Sequence, residues 1–132
     1  MPLFTRIQYE QLLRNGSPEQ REKDHVPVVK LLLPGTGCAW LLTELDPDDP
    51  LRAFGLCDLG MGVPDLGYVD LAELAGLKLP LNVKLQADPN FTGKYPLSVY
   101  AKAARECDFI TEFEPLLQSI QGTRKRPGFQ PG

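Results

Sequence analysis

The chain has a single histidine, His25, a single tryptophan, Trp40, and three cysteines, Cys38, Cys57 and Cys107, in 132 residues. An odd, widely spaced cysteine set without a C-x-x-C step does not read as a disulfide framework and suits a reducing compartment. The Cys and His spacings carry no zinc signature. No apolar run approaches the roughly 20 residues that cross a bilayer. The opening MPLFTRIQYEQLL lacks the basic, apolar and small-residue segments of a signal peptide, so a cytoplasmic location is expected. Gly55, Gly60, Gly62 and Gly67 fit neither G-x-G-x-x-G nor a Walker pattern, and their acidic flanks would repel phosphate. They are expected to supply positive φ or a bulge. Basic charge is also short: a net charge of −3 argues against a general nucleic-acid binder. There are no internal repeats, and no cofactor is expected.

What is present is an ordinary globular mix, 42 % hydrophobic and 23 % charged. It predicts one domain over residues 1–121, followed by a disordered basic tail, 122–132, that contains Arg124-Lys-Arg126. Thirteen prolines and twelve glycines predict many turns and short elements. The charge is polarised. From Cys38 to Leu77 eight acidic residues stand against one basic residue, Arg52, whereas from Lys78 onward eight basic residues stand against five acidic ones.

Periodicity predicts a helix over residues 3–15 with Leu3, Ile7, Leu12 and Leu13 on one face and Asn15-Gly16 as its C-cap. A polar loop, 17–25, follows. Strands are predicted at 26–33, 38–45 and 53–59, the first two joined as a hairpin through Pro34-Gly-Thr-Gly37. Asp46-Pro-Asp-Asp-Pro50 is expected to break the second strand, and 60–67 to form a turn-rich loop. Tyr68-Val69 begins a short fourth strand, and Asp70, with Glu73, caps a brief helix over 71–75. A last strand is predicted at 82–88. Ser98 is expected to cap a helix to about Cys107, with Val99, Tyr100 and Ala103 inward, and 109–120 to hold one more short helix. The sum is an α+β fold: an antiparallel meander of four to five strands with two to three helices packed on one face.

Carboxylates are the candidates for chemistry. Glu44, Asp46, Asp48 and Asp49 cluster, but Pro50 breaks the calcium-loop pattern, and Asp-Pro steps make solvated turns, so no metal is expected. Glu44 and Asp58 fall inside predicted strands. A carboxylate pair performs acid/base chemistry when burial drives the two pKa values apart; the expectation is that both face solvent. Cys57 with His25 would make a thiolate–imidazole pair, yet a lone cysteine in an apolar strand reads as a small core residue. Trp40, Phe54 and Tyr68 read as core aromatics, with any exposed subset forming a partner patch.

Two runs, Trp40-Leu-Leu-Thr-Glu-Leu-Asp-Pro-Asp-Asp49 and Ala53-Phe-Gly-Leu-Cys-Asp-Leu-Gly-Met-Gly-Val-Pro-Asp-Leu-Gly-Tyr-Val69, resemble the signature of one family. It comprises small bacterial proteins catalogued only as a domain of unknown function and carried on plasmids, conjugative elements and phages. Val28-Val-Lys-Leu31 and Leu97-Ser-Val-Tyr-Ala101 resemble it too, so the likeness spans 26–109. Asp65 stands where a glutamate is expected, and the polar stretch 17–24 lies outside the likeness. The resemblance implies a setting and supplies no catalytic residues. The expectation is a non-enzymatic interaction module of a mobile element, an inhibitor of host defence that binds a host or mobile-element protein complex through an acidic surface of Glu44, Asp46, Asp48, Asp49, Asp58 and Asp65. The alternatives are a small enzyme using Glu44 and Asp58, or a nucleic-acid accessory protein using the basic end.

Overall fold

The computed structural model describes residues 3–77 and 83–124. The order along the chain is α1 (Arg6–Asn15), β1 (Val29–Leu32), β2 (Cys38–Asp46), β3 (Asp49–Leu59), β4 (Asp65–Asp70), α2 (Leu71–Ala75), β5 (Gln86–Ala87), α3 (Leu97–Cys107) and α4 (Glu114–Arg124). The strands form one sheet in the order β4-β3-β2-β1-β5, with every pairing antiparallel. The α+β class and the meander are as the sequence predicts.

The helices are not confined to one face. Successive residues of a strand point to opposite sides, and β2 has apolar residues at nearly every position. Ala39 and Leu41, with Leu56 of β3, join Val99, Ala103 and Leu117 of α3 and α4 in one core. Trp40, Leu42 and Leu45 join Leu12 of α1 and Leu71 of α2 in another. A strand covered on both sides reads as a continuous apolar run, which is why the sequence places β2 correctly but not the helices around it.

Turns account for the other differences. The Asp46-to-Pro50 segment does break β2, which ends at Asp46, but as a tight hairpin: Asp46 pairs with Asp49, so β3 begins there and not at Ala53. Asp46 Oδ1 accepts from Asp48 N–H at 2.9 Å, the self-bonded turn that aspartate favours. Strand β5 is only two residues long, and Asn82, where that strand was expected to start, lies outside the described residues. Helix α4 runs on to Arg124, past the Gly122 expected to begin the tail, and residues 125–132, with Lys125 and Arg126, lie outside the described residues.

The helix ends also show what sequence spacing misses. Thr5 and Gln8 close a capping box at the start of α1. Ile7, expected inward, is exposed, while Leu12 is fully buried. Asn15 does more than end the helix. The ladder between β2 and β3 slips between Leu42 and Glu44, and Asn15 Nδ2 donates to the carbonyl of Thr43 at that bulge, 2.9 Å away. Ser98 is not the N-cap of α3; Pro96 is, without a side-chain bond. The carboxylate of Asp24 takes over, accepting from Ser98 N–H at 3.0 Å and from its hydroxyl. A negative group held against a helix start is stabilising there, and it ties the polar loop to α3.

Among the described residues no helix is long and apolar enough to cross a membrane.

Candidate functional site

The six carboxylates singled out in the sequence occupy separate places. Asp46, Asp48 and Asp49 sit together at the β2–β3 turn, with Asp48 and Asp49 exposed. Glu44 and Asp58, expected to face solvent, are buried at 7 % and 2 % exposure. Asp65 lies beyond the opposite end of β3, at the start of β4, where Arg105 Nη2 stands 3.7 Å from its Oδ1. They do not form one continuous surface.

Asp58 is a structural clasp. Its Oδ1 accepts from Gly60 N–H at 2.8 Å and its Oδ2 from Ile110 N–H at 2.9 Å, joining the end of β3 to the linker between α3 and α4. Glu44 lies elsewhere, in a small cleft of about 80 Å³ with Arg21, Asp46, Arg52 and Tyr68. Asp58 is not part of that cleft, so the two carboxylates share no concavity in which to act as an acid/base pair.

Burial pushes the Glu44 carboxyl above its ordinary value of 4.5, and the positive charges of His25 and Arg21 pull it part of the way back. The folded state therefore holds this proton more tightly than the unfolded one. The stability linked to Glu44 is fully present below the unfolded value and is lost as pH rises through the folded one. Glu44→Gln is expected to be more stable than the wild type at pH 7, with the difference vanishing near pH 4. Urea unfolding of both proteins across that range checks it.

Cys57 and His25 make no dyad. Cys57 Sγ lies 3.9 Å from the carbonyls of Gly55 and Gly67. Burial, with a smaller contribution from Asp65, pushes its thiol up to about 11, so it is not a thiolate at neutral pH. His25 Nε2 bonds instead with the carbonyl of Gln20 at 2.7 Å. Among the described residues no group of three His, Cys, Asp or Glu is placed to hold a metal ion.

The site that does stand out was read in the sequence as a turn. After β3 the chain turns at Gly60 and Gly62, whose φ values of 76° and 81° lie in the left-handed region that glycine adopts without strain. This turn holds Met61 and Val63 outward, each 75 % exposed, with Leu59 exposed before them. These side chains, with Trp40, Val69 and Leu74, line a cleft of about 430 Å³ between β4, the 60–64 loop and α2. Cys57 and Gly67 also line it, and a Cβ added to Gly67 would meet nothing within 4 Å. Asp65, Asp70 and Glu73 are the charged residues along it among the described residues, with no Lys or Arg among them. Asp70 also caps α2, its Oδ1 accepting from Ala72 and Glu73 N–H at 2.8 and 3.2 Å.

Two further features mark the cleft. Strand β4 is an edge of the sheet, so one side of its backbone is unpaired with any strand among the described residues. The indole N–H of Trp40, a residue only 1 % exposed, has no acceptor among the described residues, a cost of about 1–3 kcal/mol. Tyr68, expected in the core, is exposed on the opposite face of β4, packed against Phe54 and carrying the Arg52 guanidinium 4.0 Å above its ring. The signal in the sequence was Gly60-Met-Gly-Val-Pro64: two apolar residues in a glycine turn too short to bury them.

A family model for a protein of unknown function (DUF2958) matches residues 3–111. The chain belongs to this family. The match takes in α1 and the polar stretch 17–24, which the resemblance had left outside, and it contains every residue that lines the cleft. No curated protein matches the chain, and no solved structure matches it.

Proposed function

We propose that this member of the family is a non-enzymatic interaction protein of a mobile genetic element, and that it holds a partner protein at the cleft beside β4. The observation that carries the reading is the set of exposed apolar side chains, Leu59, Met61 and Val63, gathered next to a sheet edge that is unpaired among the described residues. Each of them gains about 1.5–3 kcal/mol if a partner removes it fully from water. Apolar patches and unpaired edges are costly on a lone protein and serve where another chain covers them.

In this reading the acidic contact lies at the cleft, with Asp65 alone of the six carboxylates singled out in the sequence. Asp65, Asp70 and Glu73 rim the cleft, next to the exposed Leu59, Met61 and Val63, whereas the carboxylates of the β2–β3 turn stand beside the exposed Leu51. An acidic rim steers basic partners and opposes nucleic acid. That favours a partner with a basic surface, and within the setting implied by the family resemblance it supports inhibition of a host defence complex. Glu44 and Asp58 share no cleft and the Cys57 thiol stays protonated at neutral pH, so these three residues lend the enzyme reading no support.

The test compares what the wild type and two variants retain from host lysate. Met61→Lys combined with Val63→Lys changes only exposed side chains and is expected to abolish retention of the partner. Asp48→Lys, at the distant turn, is expected to leave it unchanged. Loss with Asp48→Lys and retention with the cleft variant would overturn the reading.

A further inference from the structure

Resting on that interaction reading, we propose that β4 binds an extended segment of its partner as an added sixth strand, and that the segment has the pattern basic–apolar–any–apolar–any–basic. The register of β4 sets this pattern. Cys57, Gly55 and Ala53 pair with Asp65, Gly67 and Val69, so these three β4 positions share the face that carries Trp40 and the cleft. Leu66 and Tyr68 alternate with them, Tyr68 packing on Phe54, and Asp70, at the end of the strand, turns to cap α2 at the rim of the cleft.

A strand laid antiparallel along β4 meets Asp70, Val69, Tyr68, Gly67, Leu66 and Asp65 in turn. Its residues opposite Val69 and Gly67 project over the cleft. The missing side chain of Gly67 leaves room for a large one from the partner. Its residues opposite Asp70 and Asp65 meet carboxylates, which favours lysine or arginine at both ends. Asp70 uses Oδ1 to cap α2, and Asp65 uses Oδ1 for Leu66 N–H, 2.9 Å away. Among the described residues neither Oδ2 has a hydrogen-bond partner; Asp65 also has Arg105 Nη2 3.7 Å from its Oδ1, an exposed pairing that an incoming cation shares or displaces.

The same two residues argue against one register in which a second copy of this chain would pair along the edge. Antiparallel self-pairing about the middle of β4 sets Asp65 of one copy opposite Asp70 of the other, twice. Like charges directly opposite each other destabilise a ladder. A nucleic-acid strand is disfavoured as well, since the charged residues lining the cleft among the described residues are acidic.

Fluorescence anisotropy with two labelled peptides tests the proposal, one containing Lys-Val-Thr-Leu-Thr-Lys and the other Glu-Val-Thr-Leu-Thr-Glu between identical Ser-Gly flanks. The lysine probe is expected to bind saturably, and the glutamate probe at least about tenfold more weakly. Asp65→Lys with Asp70→Asn, which keeps a capping side chain on α2, is expected to erase the preference. Equal binding of both probes, or binding unaffected by these substitutions, would overturn the pattern. A concentration-dependent dimer blocked by Met61→Lys and Val63→Lys would assign the edge to a second copy and overturn it too. If neither probe binds while the cleft variant still abolishes retention from lysate, strand addition fails and the interaction reading stands. If the cleft variant also leaves retention unchanged, both fail.

Discussion

Asp58→Ala is expected to destabilise the protein by about 3–5 kcal/mol, because two backbone donors lose a charged acceptor at once. Asp58 is 2 % exposed, and its two oxygens are divided between Gly60 N–H and Ile110 N–H. Alanine leaves both donors beside a space where the carboxylate was, and each hydrogen bond to a charged group contributes about 1.5–3 kcal/mol. The effect reaches the cleft as well, since Gly60 begins the turn that holds Met61 and Val63 outward. In urea the midpoint should fall by about 2 M for a protein of this size. Asp58→Asn keeps one carbonyl acceptor and is expected to lose roughly half as much. Alanine and wild-type proteins of equal stability would show that the clasp is not holding these segments.

Gly55→Ala is expected to be comparably severe for a steric reason. A Cβ on Gly55 would stand 1.9 Å from the carbonyl oxygen of Leu41 and 2.9 Å from Leu42 Cα, backbone atoms of the adjoining strand. Neither can rotate away, so β3 must separate from β2 beside the bulge. Overpacking in a core costs about 1–3 kcal/mol and occasionally more, and a backbone clash in the middle of the sheet belongs at or above the top of that range. Gly67→Ala is the matched control: no atom would lie within 4 Å of its Cβ, so the change should stay within about 1 kcal/mol of the wild type. Thermal unfolding of the two variants side by side separates close approach from glycine content.

These two residues show where sequence reasoning carried and where it stopped. Strands β1 to β3 were legible because their apolar and β-branched runs are local. The glycines were legible in kind: Gly60 and Gly62 do supply positive φ, and Gly55 faces Leu42 where the ladder slips. Burial of Asp58 was not legible, because one of its donors is 52 residues away in sequence. The cap on α3 comes from Asp24, 74 residues before Ser98, and no local motif reports it. Asn15 looked like a helix end because its role as donor to the Thr43 carbonyl at the bulge exists only once β2 and α1 are packed. The cleft was hidden for a related reason. Its apolar residues come from a turn, a strand edge and a short helix, and none of these segments is periodic enough to advertise a shared surface.

A photoreactive benzophenone residue placed at position 63, and in a second protein at position 48, reports where a partner touches. Both positions are exposed, one on the apolar wall of the cleft and one at the acidic β2–β3 turn. Irradiation in host lysate should give a discrete protein adduct from position 63 that excess Lys-Val-Thr-Leu-Thr-Lys peptide suppresses, and none from position 48. An adduct from position 48 with none from position 63 would contradict the assignment of the cleft as the partner's contact.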